Sequence, residues 1–224
     1  MTAPSVHALR VSEIYATILG ESTYAGWPGV ILRLTGCPLR CVWCDSRHAY
    51  EGGEALALVE IVERVARFQL PLVLVTGGEP LAQVGARFLI SMLLARGLRV
   101  LVETGGGVSI EGVDPRACII LDVKCPDSGM SDRQVRENLH WLKPNDEVKF
   151  VIASRADYEW AREYLKRTKI ASRQVVHFAP VERPDGEEGA TRRDLAEWIL
   201  ADRLPVRLNL QQHVWIWGRG VRGV

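Results

Sequence analysis

Residues 72–80 read Leu72-Val73-Leu74-Val75-Thr76-Gly77-Gly78-Glu79-Pro80. A short uncharged run rich in leucine and valine, stopped by two glycines and a proline, predicts a strand buried on both faces that ends in a tight turn. Strands covered on both faces belong to parallel sheets with helical crossovers. The next segment agrees: Leu81, Val84, Phe88, Leu89 and Met92 fall on one stripe of a helix to Arg96, with Gly97 as its cap.

The same alternation extends outward. Upstream, residues 11–18 and 29–35 predict strands, and 54–68 a helix burying Leu58, Ile61, Val62 and Val65. Downstream, strands are predicted at 98–103, Cys118–Val123, 148–153, 174–178 and 206–210. Between them, Ser131 with Gln134 predicts a capping box and a helix through Leu142. Ser154 caps a helix carrying Ala161, Tyr164 and Leu165, and Thr191 with Asp194 opens one carrying Leu195, Trp198 and Ile199. The polar segment 180–190 reads as an exposed loop. With no repeat and no long linker, the expectation is one α/β domain over 1–224, with mostly parallel strands and right-handed crossovers.

Composition narrows the class. The chain has 224 residues, 47% hydrophobic and 25% charged, which suits a globular enzyme. Lysine plus arginine number 28 against 27 acidic residues, so the net charge of +1 gives no reason to expect nucleic acid, and Arg219 and Arg222 do not change that. No apolar run reaches the roughly 20 residues needed to span a bilayer. Met1–Arg10 lacks a signal-peptide core, so a cytoplasmic location is expected.

In parallel sheets, sites form at the carboxyl ends of strands. There the sequence places Gly36–Ser46, Thr76–Glu79, Glu103–Gly107 and Asp122–Lys124. The first contains Cys37, Cys41 and Cys44, spaced C-x3-C-x2-C. Such short loops do not favour disulfides, and crowded cysteines in a reducing compartment point to metal. One reading is zinc, with His48 as fourth ligand. Another is an iron–sulfur cluster with one iron left open for a small molecule, since electron carriers generally use four cysteines. A four-cysteine carrier would need Cys125. Cys118 and Cys125 otherwise read as buried core residues.

The loop, with the aromatic Trp43 before Cys44 and with Gly77-Gly78-Glu79-Pro80 about 40 residues later, resembles the radical S-adenosylmethionine (SAM) superfamily. That resemblance implies a partial (β/α)6 TIM-type barrel. Cys37, Cys41 and Cys44 would hold a [4Fe-4S] cluster whose open iron is chelated by SAM. Trp43, Cys44, Asp45, Gly78, Glu79, Glu103, Asp122, Val123 and Lys124 would bind SAM. Cleavage of SAM to a 5′-deoxyadenosyl radical would start the chemistry, with no side chain acting as catalytic acid or base.

Further segments narrow this to the 7-carboxy-7-deazaguanine synthase family. They are Ile14–Gly26, Arg33 before Gly36-Cys37, Cys44-Asp45-Ser46, and Gln211-Gln212-His213 with Trp215-Ile216-Trp217-Gly218. The likeness implies ring contraction of 6-carboxy-5,6,7,8-tetrahydropterin to 7-carboxy-7-deazaguanine with loss of ammonia, on the way to queuosine and other 7-deazapurines. Ile18, Leu19, Gly20, Glu21, Arg33, Thr76 and Val224 would contact substrate, with Arg33 matching its carboxylate. Ser46 would bind Mg²⁺. Gln212 and His213 would close the pocket from the tail. A flavodoxin or ferredoxin would supply electrons, and the enzyme would be a homodimer. Leu19 departs from a frequent glutamine, and Ser46 from a frequent threonine. A glycyl-radical-enzyme activase and a zinc-stabilised binding module are the alternatives.

Overall fold

The computed structural model describes residues 7–181 and 189–224, so most of the 180–190 loop lies outside the described residues. Among the described residues nine strands form one sheet: β1 (Ala8–Ile18), β2 (Pro28–Leu34), β3 (Glu54–Ala57), β4 (Leu72–Gly77), β5 (Arg99–Thr104), β6 (Cys118–Val123), β7 (Glu147–Ile152), β8 (Val175–Pro180) and β9 (Arg207–Leu208). Their order is β3-β1-β2-β4-β5-β6-β7-β8-β9. All neighbours from β2 to β9 are parallel, while β1 pairs antiparallel with β2 and β3. Because β3 and β9 remain edges, the barrel is partial and not closed.

Period-two alternation divides the sheet into two faces. Val30, Leu32, Leu34, Val73, Val75, Val100, Val102, Ile119, Leu121, Val148, Phe150 and Phe178 pack under the helices in the main core. Each large aliphatic side chain buried there contributes about 1.5–3 kcal/mol. The other face carries a second apolar layer, Ile31, Leu72, Leu101 and Ile120. Above it stand Arg33, Thr76, Glu103, Asp122, Lys149 and His177, all lining one cavity. Register places Arg33 beside Thr76, Asp122 beside Lys149, and Lys149 beside His177.

The helices are α1 (Leu58–Ala66), α2 (Ala86–Ala95), α3 (Asn138–Trp141), α4 (Arg155–Thr168), α5 (Arg192–Asp202) and α6 (Gln212–Trp217). Ser154 caps α4 and Thr191 with Asp194 forms a capping box on α5, as the sequence predicts. The Gly97 amide closes α2 on the Leu94 carbonyl at 3.0 Å.

Three segments differ from expectation. Residues 54–57 are an edge strand pairing with β1, so the helix starts only at Leu58. The stripe after Pro80 is out of phase: a 3-10 turn (Pro80–Ala82) and an extended Gln83 intervene before α2. Val84 and Phe88 are therefore exposed, and α2 buries Ala86, Leu89, Ile90 and Leu93. The Ser131–Gln134 capping box does not form. Gln134 instead ties strand ends together, accepting from the Lys124 amide at 2.8 Å and donating to the Gly105 and Asp122 carbonyls at 2.6 and 2.9 Å.

Candidate active site

One cavity of about 250 Å³ opens at the carboxyl ends of the parallel strands. Cys37, Cys41 and Cys44 line it together, all free thiols and partly exposed. The loop carrying them follows β2 and is seated by close backbone approach. Glu79 N–H donates to the Gly36 carbonyl at 2.8 Å, and a Cβ on Gly78 would fall 2.5 Å from that oxygen. Arg40 braces the loop from outside, donating to the Cys37 and Leu39 carbonyls at 2.6 and 2.7 Å.

The donor set fits a cluster better than a single ion. Among the described residues, no group of three or more His, Cys, Asp or Glu side chains is arranged to hold one metal ion. A cubane spreads its thiolates over different irons, so its sulfurs need not converge. His48, the fourth ligand of the zinc alternative, is not a lining residue and instead stands 3.4 Å from Glu13. Burial pushes the Cys37 and Cys41 thiols up, which favours the protonated form until a cation is bound. Deeper in, Asp122 Oδ1 is buried and has no hydrogen-bond partner among the described residues, an acceptor left for a ligand.

Most of the predicted residues meet here. Trp43, Asp45, Gly78, Glu103, Asp122 and Lys124 line the cavity, as do Ile18, Leu19, Gly20, Glu21, Arg33, Ser46, Thr76 and Val224. Two predicted SAM contacts do not. Glu79 is fully buried, with its carboxylate accepting from Thr104 Oγ1 at 2.7 Å and the Leu81 amide at 3.1 Å. The Val123 side chain lies in the helix-side core. From the tail, Gln211 and His213 line the cavity, and Gln212 contributes its amide to the Gly20 carbonyl at 3.0 Å.

The charges form two groups. Lys149, 7% exposed, pairs with Glu103, stands 3.5 Å from Glu21 and 3.8 Å from Asp122, and Lys124 adds a 2.9 Å bond to Asp122. Burial works against the Lys149 charge, but Glu103, Glu21 and Asp122 outweigh it and hold the ammonium well above its usual range. Burial, with the nearby Glu103 charge, raises Glu21 even against Lys149. For Glu103 burial is outweighed by Lys149, and its carboxyl is lowered. The second group surrounds Arg33. Its Nε donates to Glu13 at 3.0 Å and its Nη1 to Ser46 Oγ at 3.2 Å, and that hydroxyl donates to Asp45 at 2.8 Å.

Lys149 and Gln211 line the cavity, and Glu13 and Asn209 bond to Arg33 and Glu21, which do; sequence reasoning assigned a role to none of the four. Lys149 had a signal, a lone cation in the apolar run Val148–Ile152. Glu13 had none, since charge on alternate positions is ordinary in an antiparallel strand.

The Radical SAM superfamily profile matches residues 31–181. The chain is 44% identical over 220 residues to a 7-carboxy-7-deazaguanine synthase from Chlorobaculum tepidum, covering 96% of this chain and 97% of that one. It is 42% identical to the enzyme of the same name from Koribacter versatilis, covering 96% and 100%. The crystal structure of QueE from Escherichia coli superposes with a TM-score of 0.73 at 22% identity, over 91% of this chain and 94% of that one. The chain belongs to the 7-carboxy-7-deazaguanine synthase family of the radical SAM superfamily, a family defined by a [4Fe-4S] cluster and SAM.

Proposed function

We propose that this chain contracts 6-carboxy-5,6,7,8-tetrahydropterin to 7-carboxy-7-deazaguanine with release of ammonia, in 7-deazapurine and queuosine biosynthesis. The observation that carries the reading is the union, in one cavity, of three free cysteines with an inner row of charged side chains that includes Arg33. Substrate equals product plus ammonia atom for atom, so the reaction needs no net oxidant.

Cys37, Cys41 and Cys44 hold the cluster, with Trp43, Asp45, Gly78, Asp122 and Lys124 around SAM. When bound, the cluster and SAM would supply radical hydrogen-abstraction chemistry, directed at C6 of the pterin. Arg33 receives the substrate carboxylate with guanidinium N–H groups other than the Nε held by Glu13. Glu21 and the backbone of Ile18–Gly20 read the pterin ring edge, and Thr76 reaches the substrate from β4. Lys149 keeps Glu103 ionised beside the ring. The layer of Ile31, Leu101 and Ile120 below, and the tail above, keep water from the reacting centre. Ser46 offers a hard oxygen to Mg²⁺ alongside substrate oxygens. The remaining elements of the reading are a single domain, a cytoplasmic setting, a flavodoxin or ferredoxin as donor, and a homodimer. Exposed Trp215 and Ile216 on α6 support the last.

The deciding experiment is anaerobic turnover of the carboxy-tetrahydropterin by reconstituted protein, with and without Mg²⁺. Ring-contracted product and ammonia in equal amounts are expected, faster with Mg²⁺. A radical passed to a partner protein without this product would establish the activase alternative. A colourless protein holding zinc and no sulfide would end both radical readings.

A further inference from the structure

We propose that Glu13 is a positioning residue that aims Arg33 into the cavity and at the same time latches the C-terminal segment over it through Arg222. Its Oε2 accepts from Arg33 Nε at 3.0 Å, and its Oε1 accepts from Arg222 Nε and Nη2 at 3.1 and 2.8 Å. One carboxylate is thus divided between a cavity-lining cation and a tail cation. The other end of the tail repeats the pattern: Glu21 accepts from Asn209 at 3.1 Å and Gln211 at 3.4 Å while facing Lys149. Residues 209–224 therefore cross from β9 to β1 along the open side of the partial barrel, anchored at both ends on acids that also serve the cavity.

The two halves differ in exposure. The Arg33 and Glu13 side chains are each 16% exposed and that of Arg222 is 60% exposed. The inner pair is sheltered and fixes the guanidinium. The outer pair is of the weak solvent-facing kind and opens readily. The two share one carboxylate, so they are coupled. An anionic ligand that takes part of the Arg33 charge leaves more of the Glu13 charge to Arg222. The tail then closes more tightly on a filled cavity. The coupling rests on the anionic pterin proposed above, whereas the latch itself does not.

The test is amide hydrogen exchange over residues 212–224 in the cluster-loaded enzyme with SAM, with and without the pterin, alongside the pterin dissociation constant. Wild type should show slower tail exchange when the pterin is added. Arg222→Gln should speed tail exchange about two- to five-fold and weaken the pterin by the same factor. Glu13→Gln should do both and weaken the pterin about ten-fold, because Arg33 loses the carboxylate that holds its Nε and aims it into the cavity. The double variant should exchange no faster than Glu13→Gln alone. Arg222 is exposed, so its variant folds and keeps the test decisive if Glu13→Gln does not. Tail exchange unchanged in Arg222→Gln, or additive in the double variant, overturns the latch. A wild-type protein that does not bind the pterin, with variants that still loosen the tail, overturns the substrate reading and the coupling while the latch stands.

Discussion

His213 packs so closely on Gly20 that a Cβ on Gly20 would lie 2.0 Å from its Nδ1. The contact joins the tail to the turn that follows β1, where Gln212 N–H also meets the Gly20 carbonyl. Gly20→Ala should therefore expel the imidazole and lift the tail, lowering kcat/KM at least ten-fold, since small misplacements in a reacting site carry large costs. His213→Ala in the same chain makes room for the new methyl. It should restore tail protection in hydrogen exchange, and failure to do so would show that the methyl acts elsewhere.

Burial holds the His213 imidazole below its ordinary value of 6.5, against the pull of Asp45 and Glu103. A base whose folded value is depressed supports the packed tail fully above 6.5 and loses that support as pH falls through the folded value. Tail amide exchange, corrected for its intrinsic pH dependence, should accelerate below pH 6.5 in wild type. It should stay flat in His213→Gln.

Lys149 is the cation nearest to Glu21 and Glu103, and it is itself almost buried. Lys149→Met leaves carboxylates facing one another in a sheltered cavity and should destabilise the fold by about 3–5 kcal/mol at neutral pH. The deficit should shrink as pH falls, because Glu21 and Glu103 can then take up protons. Urea unfolding across a pH series measures both effects.

Gly78→Ala would place a methyl 2.5 Å from the Gly36 carbonyl oxygen and 2.7 Å from Cys37 Cβ. Backbone sits on one side of that clash, so the cysteine loop must shift. Overpacking of this kind costs about 1–3 kcal/mol. The expected result is a folded protein with reduced iron and sulfide content after reconstitution. Full cluster loading would show that the close approach is unnecessary.

Cys125 is 1% exposed within the helix-side core, and burial drives its thiol well above the ordinary range. Cys125→Ala should keep the cluster, whereas Cys41→Ala should lose it. Visible absorption of the anaerobic proteins distinguishes the two.

Much of this was legible in the sequence, for a physical reason. β4 and β6 are apolar on both faces over most of their length, the pattern of a covered parallel strand, and β6 has the predicted boundaries. The cysteine loop was legible because its spacing is local chemistry. What failed was phase and distance. The four-residue edge strand Glu54–Ala57 carries too few apolar positions to break the helical reading. Val84 and Phe88 lost their place because one extended residue, Gln83, reset the helical phase. Gln134 looked like a cap because its true partners, at Gly105 and Asp122, are distant in the chain. The pair of Glu13 and Arg222, 209 positions apart, leaves no trace in any local pattern.

The strand order carries a consequence for how the molecule is made. From β5 to β9 each strand joins the sheet beside its predecessor, so the sheet can grow in step with translation. The bonds of Asn209 and Arg222 to the first strand and its turn span 188 and 209 positions and must form last. A nascent chain stopped short of Asn209 presents the cysteine loop on a finished sheet with its flank still open. A bulky inorganic centre can be delivered at that stage, before the last wall shuts.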